Sequence, residues 1–290
     1  MPPKTRTWTE PLVTKLIKRH RGISPEEILE RHAEQLRDDA EQNALPIDVD
    51  LIASVEGIRR RLETWDFAGR IYADVDGQLV MDLNANDGDE RQRFTCAHEL
   101  MHLAFPGFKK ETRYRLDTKQ PGLNGRNAEE EYLCDLGAAA LLMPRSLIEP
   151  RYEIDEGLSG VERLAHDAEV SLQAAGNRLV SLSTAPAAFL VFEWSNKPAD
   201  RPAMRRGDAV PKRLRLRYAT LSGIEAYLPK FKSASDDSVF GRAWHEPRRA
   251  RGRELLPGAE HLGAFDIEAK AYGGAERRVV LATALASSPD

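Results

Sequence analysis

A chain of 290 residues, 41% hydrophobic and 30% charged, can bury a sizeable core, and its length predicts two domains rather than one. A net charge of −4 excludes a general electrostatic pull toward nucleic acid or membrane, and no apolar run approaches membrane-spanning length. Two cysteines, Cys96 and Cys134, exclude a disulfide framework, and the stretch from Met1 to Trp8 lacks the apolar core of a secretory signal, so a reduced, cytoplasmic setting is expected.

Residues 1–45 read as helical. Leu12, Val13, Leu16 and Ile17 recur at helical spacing, and Ser24-Pro25-Glu26-Glu27 is a helix start with proline at its first position. Pro46 to Asp50 opens a short helix that runs from Leu51 to Glu56 and ends near Gly57. Three strands are then expected, Ile58–Trp65, Gly69–Ala73 and Gln78–Leu83, with Asp76-Gly77 as a hairpin turn signal. Together they predict a small antiparallel sheet. Asn84–Asp89 is a polar loop, and Glu90–Phe105 predicts a helix stopped by Pro106-Gly107.

Phe108–Arg126 is a long basic connection, open to two readings: a substrate lid or a surface loop. Asn127–Pro144 predicts a second strong helix, rich in small residues that suit close packing. Ser146–Ser183 reads as helices with a turn between them, and Thr184-Ala185-Pro186 marks a boundary. Beyond it, Ala188–Trp194 and Arg213–Tyr218 predict strands, and Ala264–Ala271 and Glu276–Ala284 flank Gly273-Gly274 as a hairpin. The expected organisation is α+β, with a peptidase-like part at 1–145, a helical segment at 146–185 and a β-rich domain at 186–290.

The chemistry concentrates at His98-Glu99-Leu100-Met101-His102. Histidines four apart on a helix share a face, so both imidazoles can bind one zinc ion, and Glu99 can reach a water on the open side of the metal. A catalytic zinc takes three protein ligands and keeps one position open. No further histidine follows until His166, which leaves the carboxylates Glu129, Glu130 and Glu131 at the head of the second helix. Only Glu131 shares a face with Cys134, Asp135, Ala138 and Leu142. Glu129 and Glu130 read as a surface acidic cluster favoured by the helix dipole. Asp135, one turn on from Glu131, is placed to accept the second ring N–H of His98 or His102. Tyr132, Tyr114 and His166 stay open as oxyanion stabilisers, and the strand Leu79–Leu83 is the expected edge for pairing with a substrate strand.

The run Arg91-Gln92-Arg93-Phe94-Thr95-Cys96-Ala97-His98-Glu99-Leu100-Met101-His102, resumed as Glu131-Tyr132-Leu133-Cys134-Asp135-Leu136-Gly137-Ala138-Ala139-Ala140-Leu141-Leu142-Met143-Pro144, resembles the ImmA/IrrE metallopeptidases and is most like their IrrE branch, the radiation- and desiccation-response regulators. The resemblance covers about residues 45–185. It implies a zincin-like peptidase domain with His98, His102 and Glu131 as ligands of Zn2+ (Mn2+ being the other divalent ion considered) and Glu99 as the catalytic base. Asp135 stands where that family usually has Asn. The resemblance further implies a regulatory endopeptidase that cleaves a helix-turn-helix repressor in a DNA-damage stress response, and a GAF-like sensor in the β-rich part.

Within 146–185, the residues from Val161 to Leu179 have a helix-turn-helix-like pattern, but the second helix offers Arg178 as its basic residue, so a structural subdomain is expected rather than direct DNA binding. The alternative function is a transcriptional regulator that binds DNA or a repressor without cutting it. Cys96 and Cys134 flank the motif; inert buried thiols are expected over a redox switch. A monomer is expected.

Overall fold

In the computed structural model the described residues are 7–107, 113–115 (backbone only), 127–246, 248–274 and 277–286. Three helices lead in: α1 (Pro11–Arg19), α2 (Pro25–Asp39) and α3 (Val49–Val55). Ser24 caps α2 by accepting from the Glu27 N–H, and Asp48 caps α3 by accepting from Asp50 and Leu51. The strands β1 (Arg59–Glu63), β2 (Gly69–Ala73) and β3 (Leu79–Asn84) follow, and then α4 (Asp89–Met101) and β4 (Arg113–Arg115). Next come α5 (Ala128–Leu142), α6 (Arg145–Ile148), α7 (Leu158–Ala168) and α8 (Leu172–Leu182). The remainder is β5 (Ala187–Ser195), α9 (Arg201–Arg205), β6 (Arg213–Ser222), α10 (Val239–His245), β7 (Ala250–Leu255), β8 (Ala264–Tyr272) and β9 (Val279–Ala286).

The elements divide into two units, Met1–Arg151 with Ala165–Ser171 and Tyr152–Leu164 with Leu172–Asp290. In the first unit Gly77 takes φ +79° and turns β2 into β3, which pair from Gly69↔Leu83 to Ala73↔Leu79. The sheet departs from the all-antiparallel arrangement expected: β1 runs parallel to β3, and the order is β1-β3-β2-β4. The reason is topological. The chain reverses twice, once between β1 and β2 and again at the hairpin, so β1 runs with the second arm, beside which it docks.

The middle position of β3 explains its near-continuous burial. Its one buried acid, Asp82, is held by Arg61 on β1 and Arg70 on β2, each with an Nε–O distance of 2.6 Å. Tight packing then sets the helices. At Gly69 a Cβ would overlap the Thr95 side chain of α4, and at Gly137 of α5 it would lie 2.5 Å from Met101 Sδ. Leu29, Ile52, Ile71, Met81, Leu83, Leu100 and Met101 fill the space between.

The second unit is built on an antiparallel sheet of order β6-β5-β9-β8-β7. One face carries an apolar core of Leu190, Phe192, Leu216, Phe240, Ile267 and Val280 among others, with Phe192 and Phe240 stacked at 4.5 Å. On the other face Gly176 of α8 lies against the Phe189 ring, Asn177 accepts from Thr220 at 2.8 Å, and Gln173 accepts from the Tyr218 hydroxyl at 3.0 Å. Arg178 is buried. The helix that resembled a recognition helix therefore packs against a sheet, with its one basic residue buried. Sequence reading missed β7 and α10. In β7, Arg251 and Arg253 alternate with Gly252 and Glu254, leaving no apolar period to detect.

Candidate metal centre

Helix α4 begins at Gly88 with Asp89 and Glu90 in its first turn, where the helix dipole favours acids. It was expected to continue to Phe105, but the α-helix ends at Met101 and His102–Ala104 tightens into a 3-10 turn ahead of Pro106-Gly107. His98 and His102 still face one another, with ring centroids 5.2 Å apart. Both are buried, and Glu99 between them is fully buried.

Helix α5 brings the carboxylates. Glu131 lies 3.2 Å from His98 Nε2 through Oε2 and 3.8 Å from His102 Nε2 through Oε1. Ligand atoms about 2.0–2.1 Å from a tetrahedral metal sit about 3.3 Å from one another, so these separations suit one shared ion. His102 Nε2 is buried without a hydrogen-bond partner, as a nitrogen that gives its lone pair to a metal would be.

The opposite ring nitrogens are held as well. Asp135 Oδ1 is 2.9 Å from His98 Nδ1, and Glu130 Oε1 is 3.0 Å from His102 Nδ1. Each carboxylate can accept the Nδ1–H and so direct the Nε2 lone pair inward. Asp135 therefore meets one of the two histidines expected for it, His98. Glu130 corrects the reading of a surface acid, since it is 1% exposed. A signal for it was present: Glu130, Cys134, Gly137, Ala138 and Leu141 recur at helical spacing, and all are buried.

Burial pushes the Glu131 carboxyl up, but its hydrogen bond with His98 and the charges of His98 and His102 outweigh that and hold it below the usual carboxylate range. Burial, then the nearby carboxylates of Glu131, Glu130 and Glu99, pushes the Cys134 thiol well above its ordinary range. Burial raises Cys96 to about 12. Both shifts, with the burial of both side chains, disfavour the thiolate form. His98, His102 and Cys134 do form a group with possible ligand atoms within 4.8 Å of one another. However, Cys134 Sγ lies 3.5 Å from His102 Nδ1, on the side of the ring that Glu130 already holds.

Of the other candidates, Tyr132 is exposed, with its ring centroid 6.2 Å from that of Trp8, and His166 is exposed. The Tyr114 side chain and most of the 108–126 connection lie outside the described residues. The expected substrate edge is corrected: β3 is paired on both sides, by β1 and β2, and has no main-chain groups to offer.

Residues 51–180 match the model of the IrrE N-terminal-like domain, Peptidase_M78. That segment is similar to the ImmA/IrrE metallopeptidase domain. The chain is 34% identical over 125 residues to the radiation response metalloprotease IrrE of Deinococcus deserti, covering 41% of this chain and 42% of that protein. With the IrrE of Deinococcus radiodurans it shares 32% identity over 128 residues, covering 43% of this chain and 38% of that protein. The chain thus spans about two-fifths of the length of these curated relatives. A Mycobacterium tuberculosis transcriptional regulator superposes with a TM-score of 0.57 at 13% identity, over 94% of this chain and 80% of that one, a likeness of fold. Among the described residues, no helix is long and apolar enough to cross a membrane.

Proposed function

We propose that the chain is a zinc-dependent endopeptidase that regulates a stress response by cutting a protein substrate, a helix-turn-helix repressor. The observation that carries this reading is the convergence of His98 Nε2, His102 Nε2 and the Glu131 carboxylate, at 3.2 and 3.8 Å, beside the buried Glu99. Two nitrogens and one oxygen make a donor set of the catalytic zinc type. When bound, the metal supplies Lewis-acid polarisation of the scissile carbonyl and makes water more acidic. Glu99 takes a proton from the attacking water and passes it to the leaving amine. Asp135 and Glu130 keep the imidazoles turned toward the ion. The radiation response role belongs by name to the Deinococcus relatives, and it supports assigning a DNA-damage response here. The second unit is read as a GAF-like sensor whose ligand gates cleavage, and the setting as cytoplasmic.

The test is metal analysis paired with cleavage of helix-turn-helix repressors. Glu99→Gln is expected to keep the metal and lose about 10²–10⁴-fold in cleavage rate; an active Glu99→Gln protein sinks the assignment. Glu131→Ala is expected to lose the metal while Cys134→Ala keeps it. The reverse pattern replaces Glu131 by Cys134 as the third ligand. The non-cutting alternative predicts an intact repressor after incubation with metal-loaded protein.

A further inference from the structure

Helix α5 begins without help from its own N-cap: Asn127 sits at φ 68° and makes no side-chain cap. Its first-turn N–H groups are taken instead by a residue of the N-terminal segment. Glu10 Oε1 accepts from the Glu129 N–H at 3.0 Å, and Glu10 Oε2 accepts from the Glu130 N–H at 3.1 Å. The favour is returned. The Glu129 carboxylate accepts from the Thr9 N–H at 2.9 Å, from the Thr9 hydroxyl at 2.9 Å and from the Glu10 N–H at 2.8 Å. These contacts close the head of α1, where no side chain of its own cap residue does so. Two helix starts are thereby cross-capped by each other's carboxylates, each placed where the helix dipole favours a negative charge.

The turn of α5 held in this way also carries the site. Glu130 reaches His102 Nδ1 at 3.0 Å, and Glu131 faces both Nε2 atoms. A metal ligand in the first turn of a helix is exposed to fraying unless that turn is pinned, and a site of this kind needs its groups held within about 0.5 Å. Glu10 lies well ahead of the matched family segment at 51–180. We propose that Glu10 is a positioning residue for the metal centre: its carboxylate, held by Glu129, fixes the first turn of α5 and thereby sets Glu130 and Glu131 against the two histidines. The inference rests on the metallopeptidase reading above.

The test uses the full chain and zinc alone, with affinity read by competition against a chromophoric chelator. Glu10→Ala is expected to weaken zinc binding about tenfold or more, and Glu10→Gln, a neutral acceptor, to fall between it and wild type. In Glu10→Ala saturated with zinc, kcat should fall while KM stays within about twofold, because substrate contacts are untouched. Adding Glu129→Ala to Glu10→Ala should cost less than the product of the two single effects, since both cut one latch. Ser24→Ala, which removes the α2 cap, is the control: it should lower Tm without changing zinc affinity. Wild-type zinc affinity in a folded Glu10→Ala protein overturns the proposal. If that variant does not fold, unchanged affinity in Glu129→Ala overturns it. A wild-type chain that binds no zinc sinks the metallopeptidase reading itself, a result distinct from one in which wild type and variant bind equally well.

Discussion

His98 and His102 are useful as ligands only if each presents Nε2, and that depends on what holds Nδ1. Asp135 does this for His98 from a half-exposed position, and Glu130 does it for His102 from a fully buried one. The buried contact is less screened by water, so it should matter more. Glu130→Ala is expected to weaken metal binding toward the upper end of the roughly 10–100-fold range for such partners, and Asp135→Ala toward the lower end. Asp135→Asn should lie close to wild type, since an amide oxygen still accepts. Equilibrium metal competition across the three variants checks this order. At this scale the histidines and Glu99 were legible because a four-residue spacing fixes a helix face. Glu130 was missed although its spacing to Cys134, Gly137, Ala138 and Leu141 marked a buried face, because the face through Glu131 offered an equally regular pattern.

At the scale of elements, close approach places the acids over the histidines. Gly137 allows α5 to lie on Met101 of α4 and on Leu29 of α2. Gly137→Val should cost about 1–3 kcal/mol in urea unfolding, as overpacking does, and should weaken metal binding as α5 is pushed off α4. Unchanged metal affinity in a destabilised Gly137→Val protein would separate the packing of α5 from the site. Strands β2 and β3 and helices α2, α3 and α5 formed close to where their residues put them, while α4 stopped at Met101 and β4 fell in a stretch read as a loop. The direction of β1 did not follow from its own residues, Arg59-Arg60-Arg61-Leu62-Glu63, because a strand pairs parallel or antiparallel according to which edge is open when it docks.

At the scale of the whole molecule, the second unit is tied by a buried-to-rim ion network. Glu268 accepts the Leu158 N–H at 2.8 Å and pairs with Arg249 and Arg251, while Glu162 pairs with Arg249 and with Lys270 at 2.9 Å. Burial raises both carboxyls. For Glu162 the hydrogen bonds from Lys270 and Tyr272 outweigh it, and for Glu268 the Leu158 N–H and the arginines do; both end below the usual carboxylate range. Groups depressed in the folded state stabilise it at pH values above the unfolded carboxylate pKa, and that stability is lost as pH falls through the lower folded values. Thermal unfolding followed from pH 7 toward pH 3 should therefore show Tm falling below about pH 4.5, with a flatter profile in Glu268→Gln. An identical pH slope in that variant would rule the network out as the cause. The same unit sets where a truncation can be made. Removing residues 190–290 would strip the sheet from α8 and expose Ala175, Leu179 and Val180, so that deletion should aggregate whether or not the unit senses a ligand.

By itself the sequence determined the chemistry on offer: two imidazoles on one helical face with a carboxylate next to the first, a second helix headed by acids, and α+β segments with their turns. Those follow from local rules, spacing and turn residues, that hold wherever the segment lies. Only the tertiary structure decided which acid faces which ring nitrogen, that β3 has no open edge, that α8 is spent on a sheet, and that Glu10 reaches across to the first turn of α5. Each of these depends on pairing between residues far apart in the chain, and no local period encodes which distant neighbour will be there.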